Sequence, residues 1–166
     1  MMEKFGIVDF KRKLKLGLPV IFLVIFLDRL TKILVVNNME LGETISVWGW
    51  FFKLTYVLNP NVAFSIRIGN STTMLLLNIL AIFILLIYFL KTKFSLVKII
   101  ALSMIVGGAF GNNYDRIKSG VVIDFLNFGT RGWRFAIFNI ADASISVGIV
   151  ILLISIIFFE RDENQI

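Results

Sequence analysis

The chain's 166 residues are 58% hydrophobic with a mean hydropathy of +0.88, which leaves too little polar sequence to cover a water-facing globule and predicts a membrane protein. The formal charge of +6 does not point to nucleic acid, because the basic residues cluster between apolar runs, as membrane topology requires. With no cysteine and no histidine, disulfides, thiolate chemistry, the usual general base and the usual zinc ligand are all excluded.

The first apolar run, 15–36, follows Lys4, Lys11, Arg12, Lys13 and Lys15, and it continues through Asp28, Arg29 and Lys32 with no small-residue cleavage site. It is expected to be a retained helix rather than a removed signal segment. Asp28 and Lys32 stand four apart and so share a helix face. They form either an intrahelical ion pair that neutralises two expensive charges or a pair that organises a site.

Residues 44–64 are rich in β-branched and aromatic side chains, with Phe52, Leu54, Tyr56 and Leu58 alternating against Lys53, Thr55, Val57 and Asn59, which predicts strand. Asn59-Pro60-Asn61-Val62-Ala63-Phe64 then carries turn chemistry. It is either an ordinary Asn-Pro turn or a place where the Asn59 amide, able to donate and accept, meets a bound peptide backbone.

Two further apolar runs, 72–90 and 96–111, are joined by a tight turn flanked by Lys91, Lys93 and Lys98. Gly107 and Gly111 form a small-xxx-small pattern suited to close helix packing. Beyond them the third run turns polar, as expected of a helix end bordering a cavity. If the helix continues, Asn112 faces the same way as Asp115 and Arg116. Adjacent residues do not face each other, so Arg116 is expected to reach something other than Asp115.

Segments 121–128 and 133–138 flank 129–132 as the arms of a hairpin flank its turn. The last apolar run is 139–159, followed by a polar tail at 160–166. Asn139 and Asp142 lie on one face of its first turn, where a carboxylate is favoured by the helix macrodipole.

These runs predict a membrane all-α fold: one domain, 1–166, built as a four-transmembrane-helix bundle with a small extracytoplasmic β-sheet and loop subdomain. The positive-inside rule puts both termini in the cytoplasm and loops 37–71 and 112–138 outside. Trp48, Trp50 and Trp133 all fall in those loops, where an interfacial aromatic belt belongs.

Asp124 and Asp142 are carboxylates in apolar surroundings, eighteen positions apart, with a segment between them able to bring the chain back. If they meet, repulsion and desolvation let only one ionise near neutrality, and the pair titrates as a unit. One can then deprotonate water while the other protonates a leaving amine.

The series Asp28-Arg29-Leu30-Thr31-Lys32, Asn59 to Phe64, Gly107 to Arg116, Val122-Ile123-Asp124-Phe125 and Phe138-Asn139-Ile140-Ala141-Asp142 closely resembles the motif set of bacterial signal peptidase II, the lipoprotein signal peptidases, in order and over nearly the whole chain. The resemblance implies an intramembrane aspartyl endopeptidase of the bacterial inner membrane. Such an enzyme removes the signal peptide of diacylglyceryl-modified prolipoproteins just before the lipidated cysteine, and is blocked by the cyclic peptide globomycin. It implies Asp124 and Asp142 as the catalytic dyad and Asn59, Asn112, Arg116 and Asn139 as substrate-binding residues. Asp28, Lys32 and Asp115 take supporting roles, with no metal and no cofactor. Members commonly carry glycine where this chain has Asn61, a residue type that tolerates positive φ.

The rival from another class is a small proton-coupled transporter, since intramembrane carboxylates also relay protons. Its weakness is that Asp124 lies in an outer loop and that no charged residue interrupts the second span, or the third between Lys98 and its outer end.

Overall fold

The structure, a computed structural model, describes residues 2–60, 71–91 and 95–159. Asn61, Val62, Ala63 and Phe64 of the second motif, Lys93 and the tail 160–166 lie outside the described residues. In chain order the elements are α1 (Met2–Asn38), β1 (Thr44–Trp48), β2 (Phe52–Asn59), α2 (Ser71–Lys91), α3 (Leu96–Ser119), β3 (Val122–Phe128) and α4 (Ile140–Phe159).

Polarity is arranged inside out. Phe22, Phe26, Leu80, Phe83, Leu153 and Phe158 are each more than half exposed, whereas Asp28, Lys32 and Asn139 are fully buried. Water would penalise an apolar exterior of this extent, and lipid would not. By length and composition two of the described helices, Leu96–Ser119 and Ile140–Phe158, are apolar enough to cross a membrane, and Leu75–Phe89 is a shorter apolar helix. The four expected spans are therefore not equally marked. Asp28, Arg29 and Lys32 interrupt the apolar character of α1, and that of α2 is confined to fewer residues.

Helix α3 is the centre of the bundle, and its glycines explain how. A Cβ on Gly107 would lie 3.1 Å from the Ile21 carbonyl oxygen of α1, and one on Gly108 would lie 2.4 Å from that of Ala141 in α4. A Cβ on Gly111 would meet Asp28 Oδ2 at 2.7 Å. The small-residue pattern thus brings both neighbouring backbones against α3, and it also makes room for a buried carboxylate.

The helix does not stop where its apolar run ends. Residues 112–119, expected in an outer loop, complete α3. Asn112, Asn113, Asp115 and Arg116 are tolerated there because all four are buried among polar partners rather than exposed to lipid. The helix ends at Gly120, whose φ of 74° is left-handed and whose N–H reaches the Arg116 carbonyl at 3.0 Å.

The three strands form an antiparallel sheet in the order β1-β2-β3. Within the strand-like run, residues 44–59 form a hairpin, turning at Gly49 with φ 51°. A bulge shifts the register between Leu54 and Val57, and Thr55, on the face opposite Leu54 and Tyr56, is buried against Asn127 and Thr44. The arm 133–138, expected as a strand, is not one. It meets β3 and its turn through isolated bridges, Leu126 with Phe138 and Gly129 with Arg134, and through the Phe135 N–H, which donates to the Phe128 carbonyl at 2.9 Å. The sheet rests on the helices through Val35, Met39 and Phe125, with Leu54, Tyr56, Leu126 and Ile140 packed around them. This contact sets β3 against the end of α1 and the start of α4.

Candidate active site

The site is built around the first turn of α4. Asn139 accepts the Asp142 N–H on Oδ1 at 2.9 Å, and Asp142 Oδ2 accepts the Asn139 N–H at 3.4 Å, a reciprocal capping box. Asp28, from α1, accepts the Ala141 N–H at 3.1 Å. The helix terminus is thus satisfied by three side chains. Asp142 is an N-terminal helix carboxylate, as one expectation had it, yet its other oxygen faces the remaining polar groups.

Antiparallel pairing sets Asp124 of β3 opposite Val57, with Asn59 two residues further along β2. Asn139 Nδ2 donates to Asp124 Oδ1 at 2.7 Å, and Asn59 Nδ2 donates to Asp124 Oδ2 at 2.7 Å. Asn112 Nδ2 donates to Asp142 Oδ1 at 2.7 Å. Asn139 Nδ2 also donates to Asn112 Oδ1 at 3.1 Å. The two carboxylates are therefore linked by asparagines from a strand and two helix ends, and each is held by amide N–H donors that suit its ionised form.

Burial opposes those donors at Asp124, which is 1% exposed. Desolvation first, and the nearby negative charge of Asp142 second, push its pKa from 3.8 up to about 7, against the pull of the Asn59 and Asn139 hydrogen bonds and the Lys32 charge. A group so placed gains or loses its proton near neutrality. Asp142 is the less buried of the two and opens on a cavity of about 430 Å³, lined mainly by aromatic residues including Phe51, Phe128, Trp133, Phe135 and Phe138.

The supporting residues form a second layer behind Asn112. Lys32 Nζ lies 2.9 Å from Asp28 Oδ2, 2.7 Å from Asp115 Oδ2 and 3.2 Å from Asn112 Oδ1. The intrahelical pair expected of Asp28 and Lys32 is present, and the site-organising role is compatible with it because the same ammonium reaches Asn112. Arg29 pairs with the other Asp115 oxygen and stacks over Tyr114, 4.5 Å from the ring centroid. Arg29 was not among the expected site residues, although it stands inside the matched run 28–32, beside Asp28 and Lys32. Arg116 does reach beyond Asp115. Its NH1 meets the Asn112 carbonyl at 3.5 Å, and its charge acts on Asp142 and Asp124.

All nine expected residues thus fall in one polar interior. Asn59, Asn112, Asn139, Asp124 and Asp142 make a connected hydrogen-bond set, while Asp28, Lys32 and Asp115 join it through Asn112 and the start of α4.

The family model described as signal peptidase (SPase) II matches residues 20–158. A lipoprotein signal peptidase of Fusobacterium nucleatum is 39% identical over 158 residues, covering 90% of this chain and 94% of the relative. One from Halothermothrix orenii is 38% identical over 135 residues, covering 81% and 90%. A solved bacterial membrane enzyme, determined by the in meso method at 2.3 Å resolution, superposes with a TM-score of 0.81 at 28% identity, covering 90% of this chain and 91% of its own. A second, determined at 1.9 Å, gives 0.78 at 29% identity, covering 86% and 93%. The chain belongs to the signal peptidase II family, a family of bacterial membrane peptidases.

Proposed function

We propose that this peptidase removes the signal peptide of diacylglyceryl-modified prolipoproteins, cutting just before the lipidated cysteine, with Asp124 and Asp142 as the catalytic pair. The observation that carries the proposal is the asparagine bridge. Asn139 donates to Asp124 while capping the helix turn that carries Asp142, and Asn112 joins Asn139 to Asp142.

In this reading the ionised member of the pair takes a proton from water as the water oxygen attacks the scissile carbonyl. The protonated member gives its proton to the leaving nitrogen as the C–N bond breaks. Asn59, Asn112 and Asn139 orient the carboxylates and offer amides to the peptide backbone, and Arg116 supplies positive charge near the developing oxyanion. Lys32, Asp28 and Asp115 hold Asn112 and the α4 terminus in place. Water and two carboxylates suffice for this chemistry, so no metal or organic cofactor enters it.

The same reading makes 1–166 one domain whose four helices cross the bacterial inner membrane, with both termini in the cytoplasm and the sheet outside. The basic residues Lys11, Arg12, Lys13 and Lys15 at one end of α1, and exposed Trp48, Trp50 and Trp133 on the sheet side, support that orientation. The lipid-modified substrate then reaches the pair from the outer leaflet, and a globomycin-type cyclic peptide competes for the same place. Family membership disfavours the transporter alternative.

The test is purified protein in lipid bilayers given a diacylglyceryl-modified peptide. The expected result is one cut before the modified cysteine, abolished by globomycin. Equal cleavage of the unmodified peptide, or no cleavage together with gradient-driven ion flux, overturns the proposal.

A further inference from the structure

Arg134 has an arrangement that the catalytic reading does not use. Its Nε donates to Asn127 Oδ1 at 2.7 Å, its NH2 to the Asn127 carbonyl at 2.9 Å, and its NH1 to the Trp50 carbonyl at 2.8 Å. One guanidinium thereby ties three separate pieces of chain: the turn between β1 and β2, strand β3, and the irregular arm before α4. Each tie is next in sequence to a wall of the cavity beside Asp142. Trp50 precedes Phe51, Asn127 precedes Phe128, and Arg134 stands between Trp133 and Phe135, all four of which line that cavity.

The wall holds two groups of touching rings. Phe51 meets Phe128 edge-on with centroids 5.7 Å apart, Phe128 stacks on Phe138 at 5.9 Å, and Trp133 meets Phe135 at 4.3 Å. Neighbouring residues on extended chain point to opposite sides, so polar ties and aromatic lining alternate.

The acceptor side is braced as well. Asn127 is buried and donates to Thr55 Oγ1 at 2.8 Å, and Thr55 pairs with Thr44 at 3.0 Å, so the line of polar side chains crosses β3, β2 and β1 in turn. The arm also needs a glycine opposite it, since a Cβ on Gly129 would lie 2.6 Å from the Trp133 carbonyl oxygen and 2.8 Å from Arg134 Cα. Backbone hydrogen bonds tie the arm to β3 at Phe135 N–H to the Phe128 carbonyl, 2.9 Å, and at Phe138 N–H to the Leu126 carbonyl, 3.1 Å, and the clamp adds side-chain ties beside them. None of the Arg134 hydrogen bonds goes to Asn59, Asn112, Asn139 or either carboxylate.

We infer that Arg134 is a positioning residue that fixes the aromatic wall of the cavity beside Asp142, and so governs how tightly the substrate is held there rather than the chemistry of the carboxylates. The inference rests on the peptidase reading above. A planar fork is required because two of its N–H groups meet two oxygens of the same asparagine, which an ammonium cannot match.

The test measures cleavage of the diacylglyceryl-modified peptide by the wild type, R134K, R134Q, N127A and the R134Q/N127A double variant, all in bilayers. Failure of the wild type to cleave counts against the peptidase reading, and the Arg134 inference is then read from peptide binding alone, measured on the same variants. With an active wild type, R134K and R134Q raise KM about tenfold, leave kcat within about twofold, and leave the pH midpoint of kcat where it was. N127A gives a similar KM, and the double variant is no worse than either single change, as one shared contact requires. A KM within twofold of wild type in R134Q overturns the inference. So does a fall in kcat with an unchanged KM, or a moved pH midpoint, because either places Arg134 in control of the carboxylates. If R134Q does not fold, R134K, which keeps the charge, and N127A, which leaves Arg134 in place, decide the matter.

Discussion

Asn139 donates its side-chain amide to Asp124 Oδ1 at 2.7 Å, joining the first turn of α4 to the middle of β3. The same side chain accepts the Asp142 N–H at 2.9 Å, so one residue sets the separation of both carboxylates. Asn139→Ala is expected to lower kcat by about 10²-fold with a smaller change in KM, since misplacing reacting groups by an ångström costs on that order. Steady-state cleavage kinetics on folded protein check this. A change confined to KM contradicts the bridging role.

Asp124 is expected to set the pH dependence of cleavage. With a pKa near 7 it carries a proton below neutrality and loses it above, so cleavage is expected to decline as pH rises through about 7, the value belonging to the coupled pair. Removing the Asn59 donor, which favours the charged form, raises that value further. Asn59→Ala therefore moves the alkaline limb of the profile to higher pH, and a shift to lower pH contradicts the assignment. Stability follows the same sign. The folded state holds the Asp124 proton between 3.8 and about 7 while the unfolded chain does not, so this group favours folding below that window and loses its contribution as pH rises through it.

Lys32 is the shared cation of two buried carboxylates, Asp28 and Asp115. Lys32→Met leaves both without that ammonium and is expected to cost about 3–5 kcal/mol of stability, as breaking buried pairs from one side does. Unfolding of the purified protein in mild detergent measures it. Lys32→Met combined with Asp28→Asn should recover part of the loss, and no recovery argues against the pairing.

Gly108 lets α3 and α4 touch, with 2.4 Å between its would-be Cβ and the Ala141 carbonyl oxygen. Backbone cannot yield as a flexible side chain can, so Gly108→Ala is expected to destabilise by about 1–3 kcal/mol. Because Ala141 lies next to Asp142, the same change is expected to lower cleavage activity more than its effect on folding explains. Equal stability and activity to wild type count against the close approach.

Much of the site was legible in the sequence because its parts are local. Asn139 and Asp142 sit three apart at a helix start, Asp28 and Lys32 four apart on a face, and Gly107 and Gly111 mark close packing. The pairing of Asp124 with Asp142 was legible through chemistry, since two apolar-flanked carboxylates call for each other. What escaped was long-range or depended on tertiary cover. Asp28 caps a helix that begins more than a hundred residues later, and no local pattern announces that. Helix α3 runs on through Asn112 to Ser119 because other elements bury its polar end, which periodicity in an apolar run does not foresee. The arm 133–138 has strand composition, yet it meets β3 through scattered backbone hydrogen bonds and the Arg134 clamp to Asn127 and Trp50 rather than through a continuous ladder.

Asp124 and Asp142 are proposed to hydrolyse the peptide bond together. Asp124→Asn and Asp142→Asn preserve shape and remove one ionisable group each, so the most direct measurement is single-turnover cleavage of a diacylglyceryl-modified peptide by each variant in bilayers. A loss of about 10³-fold or more is expected in both, with peptide binding retained, since each aspartate supplies one half of the proton transfer. Cleavage within about tenfold of wild type in either variant contradicts it.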